Sequence, residues 1–150
     1  MLLSLKGNSN MDANLINQEF VSFLKGEGDK MGFSVQFWKG RGRRANNNIL
    51  ELSGKRNYLI YFKVRSQKPI RWGVTANGIK ELNGSGKKWW LVLLFESPHT
   101  GYLLNSEDVD QYKRIWPLVK DGDYKVQPGS YLRFLEPFYT FSEFMKNLIE

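Results

Sequence analysis

Over residues 58–65, Leu59, Tyr61 and Lys63 alternate with Ile60, Phe62 and Val64, the two-residue period of a β-strand. A shorter apolar run at 49–52 precedes it, and Ser53-Gly54-Lys55-Arg56-Asn57 between them is turn-forming, so 46–65 predicts a β-hairpin. After a break at Ser66-Gln67-Lys68-Pro69 comes a helical signal over 75–82, with Thr75 placed as its N-cap. The most apolar run of the chain follows at 89–95, Trp-Trp-Leu-Val-Leu-Leu-Phe. A strand, a helical crossover and a continuously apolar strand predict a βαβ unit whose last strand is parallel and covered on both faces. Ser97-Pro98-His99-Thr100-Gly101 reads as a turn and 102–104 as a returning strand. Upstream, Ile16, Phe20, Phe23 and Leu24 fall at i, i+4, i+7 and i+8, which predicts an amphipathic helix over 12–25, and a first strand follows over 33–38.

The C-terminal third reads as structural. Ser106-Glu107-Asp108 caps a helix with Val109, Tyr112 and Trp116 on one face, and a short strand at 124–126 lies between turns at 120–123 and 128–129. Thr140-Phe141-Ser142-Glu143 is a capping box opening a last helix with Phe141, Phe144, Met145, Leu148 and Ile149 apolar. That helix either closes the core or makes a dimer contact. The expected class is α/β, a mixed central sheet flanked by helices, in one domain over 12–150 after a loose leader over 1–11.

Lys63 stands mid-strand on the face of Tyr61, so its stem packs while its ammonium either reaches water or is held for a phosphate or an acid. The order α-β-β-β-α-β-β with a lysine in the third strand resembles the core of the PD-(D/E)XK nuclease superfamily, which includes restriction enzymes, homing endonucleases and junction resolvases. The resemblance covers roughly residues 12–110 and implies a restriction-endonuclease-like core, DNA as substrate and Mg²⁺ as cofactor. In that family an Asp opens the strand of the first hairpin arm and an acid stands two residues before the lysine. Laid on this chain, those positions fall on or near Asn48 and on Tyr61, so the signature is degenerate. Neither an amide nor a phenol replaces the carboxylate charge that Mg²⁺ takes as a hard ligand, and without the cation no water is activated and no scissile phosphate is held.

Two carboxylates are candidates to restore a metal site: Glu51 in the first hairpin arm, and Glu19 in the first helix, where several members of the family keep an auxiliary acid. The plain alternatives are a solvent-facing Glu51 paired with Lys55 or Arg56, and a solvated Glu19. His99, the single histidine, excludes a two-histidine metal site, and the absence of cysteine excludes disulfides, thiolate ligands and a cysteine nucleophile. The glycines of 40–42 and 84–87 do not match the phosphate-loop spacing.

Charge bears on the partner. The net charge of +7 calls for a polyanion. Its clusters are Lys39, Arg41, Arg43 and Arg44 with two interleaved glycines, Lys55-Arg56 on the hairpin turn, Arg65, Lys68 and Arg71 after the lysine strand, and Lys87-Lys88 before the buried strand. Arginine suits bidentate phosphate contact, and clusters bracketing one hairpin predict a duplex-DNA interface. No run approaches the roughly 20 apolar residues of a membrane span, and an intracellular, cytoplasmic protein is expected. Three readings follow: a DNA-binding protein of endonuclease-like fold with metal-dependent cleavage lost or marginal; an active Mg²⁺-dependent endonuclease using Glu51, Glu19 and Lys63; or a non-enzymatic interaction module that docks through its aromatic C-terminal helix. A homodimer is expected for a protein that handles two strands.

Overall fold

The computed structural model describes residues 12–40 and 48–149. Helix α1 (Ala13–Lys30) begins where Asp12 accepts a 2.8 Å hydrogen bond from the Leu15 amide, and it buries Ile16, Phe20, Leu24 and Gly28 at four-residue steps. Phe23, expected in that stripe, is 40% exposed. A Cβ on Gly28 would lie 2.9 Å from Val35 Cγ2, so glycine lets α1 close onto strand β1 (Ser34–Phe37).

The predicted hairpin is present as β2 (Ile49–Ser53) and β3 (Asn57–Arg65), and the crossover carries β4 (Trp72–Thr75) and α2 (Ala76–Asn83). Then come β5 (Lys88–Phe95), β6 (Gly101–Asn105), α3 (Ser106–Tyr112), β7 (Asp123–Val126) and α4 (Phe141–Ile149). One five-stranded sheet has the order β1-β2-β3-β5-β6, with β3 and β5 parallel and the other pairs antiparallel. β5 is buried from Trp89 to Leu94 because both of its faces are covered, as its unbroken apolar run requires.

Strand β4 is the main departure from the expected order. Trp72 and Val74 are buried and alternate with Gly73 and Thr75, but four residues with a glycine at the second position give a weak period. β4 pairs antiparallel with β7 in a separate two-stranded sheet, so the short strand expected at 124–126 is not part of the central one. The cap of α3 also lies one residue earlier than expected: Asn105 and Asp108 form a reciprocal capping box. α3 ends at Tyr112, so Trp116 sits beyond the helix rather than on its face, donating its indole N–H to the Tyr131 carbonyl at 2.7 Å.

Two hydrophobic clusters lie on opposite faces of the sheet. On one, α1 and α4 cover Leu50, Leu52, Ile60, Phe62 and Val92. On the other, β4, β7, α2 and α3 cover Ile49, Leu59, Tyr61, Leu91 and Leu93. The last helix opens as expected, with Thr140 Oγ1 accepting from the Glu143 amide at 3.0 Å, and it buries Phe144, Met145 and Leu148. It therefore closes the α1 face of the core.

Candidate functional site

The period of two places Leu59, Tyr61 and Lys63 on the face covered by β4 and β7. Lys63 is half-buried, and burial lowers its ammonium below the ordinary lysine range; the Asp123 carboxylate pulls it back up and Lys125 adds a repulsive push down. Asp123 and Lys125 both come from β7, opposite Thr75 and Gly73 of β4. Their charged ends are 3.8 Å apart. Nothing in the sequence pattern linked them to Lys63: the link passes through the β4–β7 pairing, which the periodicity did not reveal.

Tyr61, where the resemblance would place an acid, is buried and bonded. Its Oη accepts the Thr75 amide at 3.1 Å and lies 3.2 Å from Thr75 Oγ1, which in turn accepts the Gly78 amide at 3.0 Å and caps α2. Burial raises the phenol above its ordinary pKa, with smaller opposing effects from the Thr75 hydrogen bonds. The ring needs Gly78, where a Cβ would lie 2.6 Å from Thr75 Oγ1 and 3.3 Å from Tyr61 Cε2. The group at this position is thus a neutral phenol that anchors a helix start.

Asn48 also serves the sheet, its side-chain amide donating to the Phe62 carbonyl at 3.1 Å while its own carbonyl accepts from the Phe62 amide at 2.9 Å. An aspartate in that place would turn a donor into a lone pair facing a lone pair.

The two candidate acids do not join Lys63. Glu51 shares its face but is opposite Leu59, four residues from Lys63 along β3 or about 13 Å at strand rise. Its carboxylate is only 14% exposed and is held by Lys87 Nζ at 2.6 Å, not by Lys55 or Arg56. Glu19 is half-buried on α1, the helix that covers the opposite face. Among the described residues no group of three or more His, Asp or Glu is placed to hold a cation. The residues present therefore do not fit a divalent-metal centre at Glu51 and Glu19, and His99 is an exposed turn residue 3.5 Å from Ser97 Oγ.

The basic clusters separate into two ends of the sheet. Lys55 and Arg56 are exposed on the hairpin turn, beside Lys87 and Lys88 at the start of β5, because Tyr58 is in register with Lys88. Lys63 and Arg65 lie toward the far end of β3, about 20 and 26 Å from Asn57, where the turn ends, at strand rise. Exposed Lys68 and Arg71 follow them. Exposed Lys39 belongs to this end, since the Trp38 amide bonds to the Ile49 carbonyl and Ile49 is opposite Tyr61. Arg65 has a local task as well, its Nε donating to the Gln67 and Pro69 carbonyls at 2.9 and 3.0 Å. Arg41, Arg43 and Arg44 lie outside the described residues.

No family model matches the chain, and no curated protein sequence does. Among solved structures the chain is similar to Hjc, a Holliday junction resolvase of the archaeal hyperthermophile Archaeoglobus fulgidus, at TM-score 0.52 and 14% identity, covering 87% of this chain and 95% of that one. At that identity the likeness concerns the fold: a mixed sheet flanked by helices, as the resemblance to the nuclease superfamily implied.

Proposed function

We propose that the chain is a DNA-binding protein of nuclease-like fold in which metal-dependent phosphodiester cleavage is lost or marginal. The observation that carries this reading is Tyr61. The position two residues before Lys63 holds a buried phenol bonded to Thr75 instead of a carboxylate, so a cation has no charged ligand beside the lysine on its own strand. DNA enters as partner through the net charge of +7, the Lys39, Arg65, Lys68 and Arg71 end of the sheet, and the similarity to a junction resolvase. Homodimerisation belongs to the same proposal. Incubation of plasmid and branched oligonucleotide DNA with Mg²⁺ or Mn²⁺ should give no cleavage above background, while the same DNA is retained in a mobility-shift assay. Robust cleavage abolished by both Glu51→Gln and Lys63→Ala would overturn the inactive reading and establish an enzyme. Complete absence of salt-dependent DNA binding would transfer the chain to the interaction-module reading.

A further inference from the structure

Beside Lys63, the two-stranded β4–β7 sheet presents a pair of charges. β4 and β7 place Asp123 opposite Thr75 and Lys125 opposite Gly73. Both β7 side chains converge over Gly73: a Cβ there would lie 2.9 Å from Asp123 Oδ2 and 3.7 Å from Lys125 Nζ, so the missing side chain is the space they use. The sheet is fixed to β3 where Tyr61 Oη accepts the Thr75 amide. Lys63, two residues on and on the same face, is thereby brought within the electrostatic reach of both charges. The turn before Asp123 is tied down as well, with the Asp123 amide donating to Asp121 Oδ1 at 3.0 Å and the Ala76 amide to the Gly122 carbonyl at 2.9 Å.

We propose that Lys63 and Lys125 form a two-ammonium phosphate-binding site bridging the central sheet and the β4–β7 sheet, with Asp123, ion-paired to Lys125, as the internal counterion that a phosphodiester replaces. This rests on the nucleic-acid reading above and adds to it a contact residue, Lys125, and a competing residue, Asp123. Two ammonium groups beside each other repel unless an anion lies between them. The Asp123 carboxylate is that anion in the free protein: it favours the charged form of Lys63, while Lys125 opposes it. A phosphate oxygen is a stronger acceptor for two ammonium donors than one carboxylate shared between them, and its arrival leaves Asp123 free to turn to solvent, where its side chain is already 27% exposed. No bond is made or broken and no metal enters.

The test uses the whole chain with side-chain NMR of its lysine ammonium groups. Asp123→Asn should lower the Lys63 titration midpoint and Lys125→Ala should raise it, whereas Glu107→Gln, the same change of charge at an exposed site on α3, should leave it in place. Inorganic phosphate titrated into the unmodified chain should shift the Lys63 and Lys125 signals together, with loss of the Lys63 response in Lys125→Ala. With duplex DNA, Lys125→Ala should reduce the salt slope by about 0.9, the value for one phosphate, and Asp123→Asn should tighten binding more than Glu107→Gln does. A Lys63 midpoint indifferent to both β7 variants, or phosphate that moves Lys63 alone, overturns the proposal while leaving DNA binding intact. Failure of the unmodified chain to bind duplex at all, with phosphate still moving both lysines, would overturn the DNA reading and leave the anion site standing.

Discussion

At the scale of single residues, Asn48 and Tyr61, the two positions to which the nuclease resemblance would assign acids, are used here to hold backbone. Asn48 donates to the Phe62 carbonyl, and Tyr61 satisfies the Thr75 amide at the start of α2. Restoring the acids therefore perturbs the fold as well as the charge. Asn48→Asp alone should destabilise the chain by about 1–3 kcal/mol, the usual range when a part-buried hydrogen-bond partner is removed or reversed. Asn48→Asp with Tyr61→Glu should cost more, since a large buried ring is removed. If the double variant stays folded, Mg²⁺ should raise its melting temperature and leave that of the unmodified chain unchanged, a shift that reports binding to the folded state. Lys63 gives a second prediction. Its folded pKa lies below the ordinary lysine value of 10.5, with burial the main cause. Between those two values the unfolded chain binds the more protons, so Lys63 contributes instability at lower pH that disappears as pH rises toward 10.5. Urea unfolding of Lys63→Met and of the unmodified chain should show a stability difference that favours the variant at neutral pH and narrows as pH rises toward 10.5. A difference independent of pH would show that Lys63 is not desolvated.

At the scale of elements, most of the central sheet could be read from the chain because its signals are local. The alternation at 58–65, the apolar run of β5 and the caps at Thr75 and Thr140 each lie within one segment, and each stands where the pattern put it. What escaped depends on pairings distant in sequence. Period two in Trp72-Gly73-Val74-Thr75 is too short to stand out, and the partner that makes it a strand is β7. Without the β4–β7 pairing, Asp123 and Lys125 read as parts of a remote turn and strand, while the preference of Glu51 for Lys87 comes from the β2-β3-β5 order, which sets Glu51 and Trp89 on either side of Leu59. That preference is testable. Glu51 and Lys87 join β2 to the loop before β5 in a pair 14% and 32% exposed, between the weak surface regime and the strong buried one. Lys87→Ala should cost about 1–2 kcal/mol by leaving the less exposed carboxylate alone. Adding Glu51→Leu should recover most of that cost, because an apolar residue suits a face that already carries Ile49 and Leu59. Failure to recover would mean that the carboxylate serves something other than Lys87.

At the scale of the whole molecule, two basic clusters lie toward the opposite ends of β3. Lys55, Arg56, Lys87 and Lys88 occupy one end; Lys39, Lys63, Arg65, Lys68, Arg71 and Lys125 occupy the other. Lys63 and Lys88, the nearest members of the two sets, are about 17 Å apart at strand rise because Lys88 is in register with Tyr58, or about two screening lengths at physiological salt, where each is about 8 Å, so the two ends are largely screened from one another. Exposed Lys39, the first residue of the basic run 39–44, lies at the Lys63 end. On the DNA-binding reading proposed above, the main interface is expected at that end. Arg41→Ala, Arg43→Ala and Arg44→Ala combined should weaken duplex binding across all sequences and flatten the dependence of log affinity on log salt by roughly three units or fewer, at about 0.9 for each phosphate no longer neutralised. Lys55→Ala with Arg56→Ala should change the slope by less than about one unit. Fluorescence anisotropy over a salt series resolves the two. Equal reductions from both sets would mean that DNA runs the length of the hairpin rather than across one end, and an unchanged slope in the arginine variant would remove 41–44 from the interface.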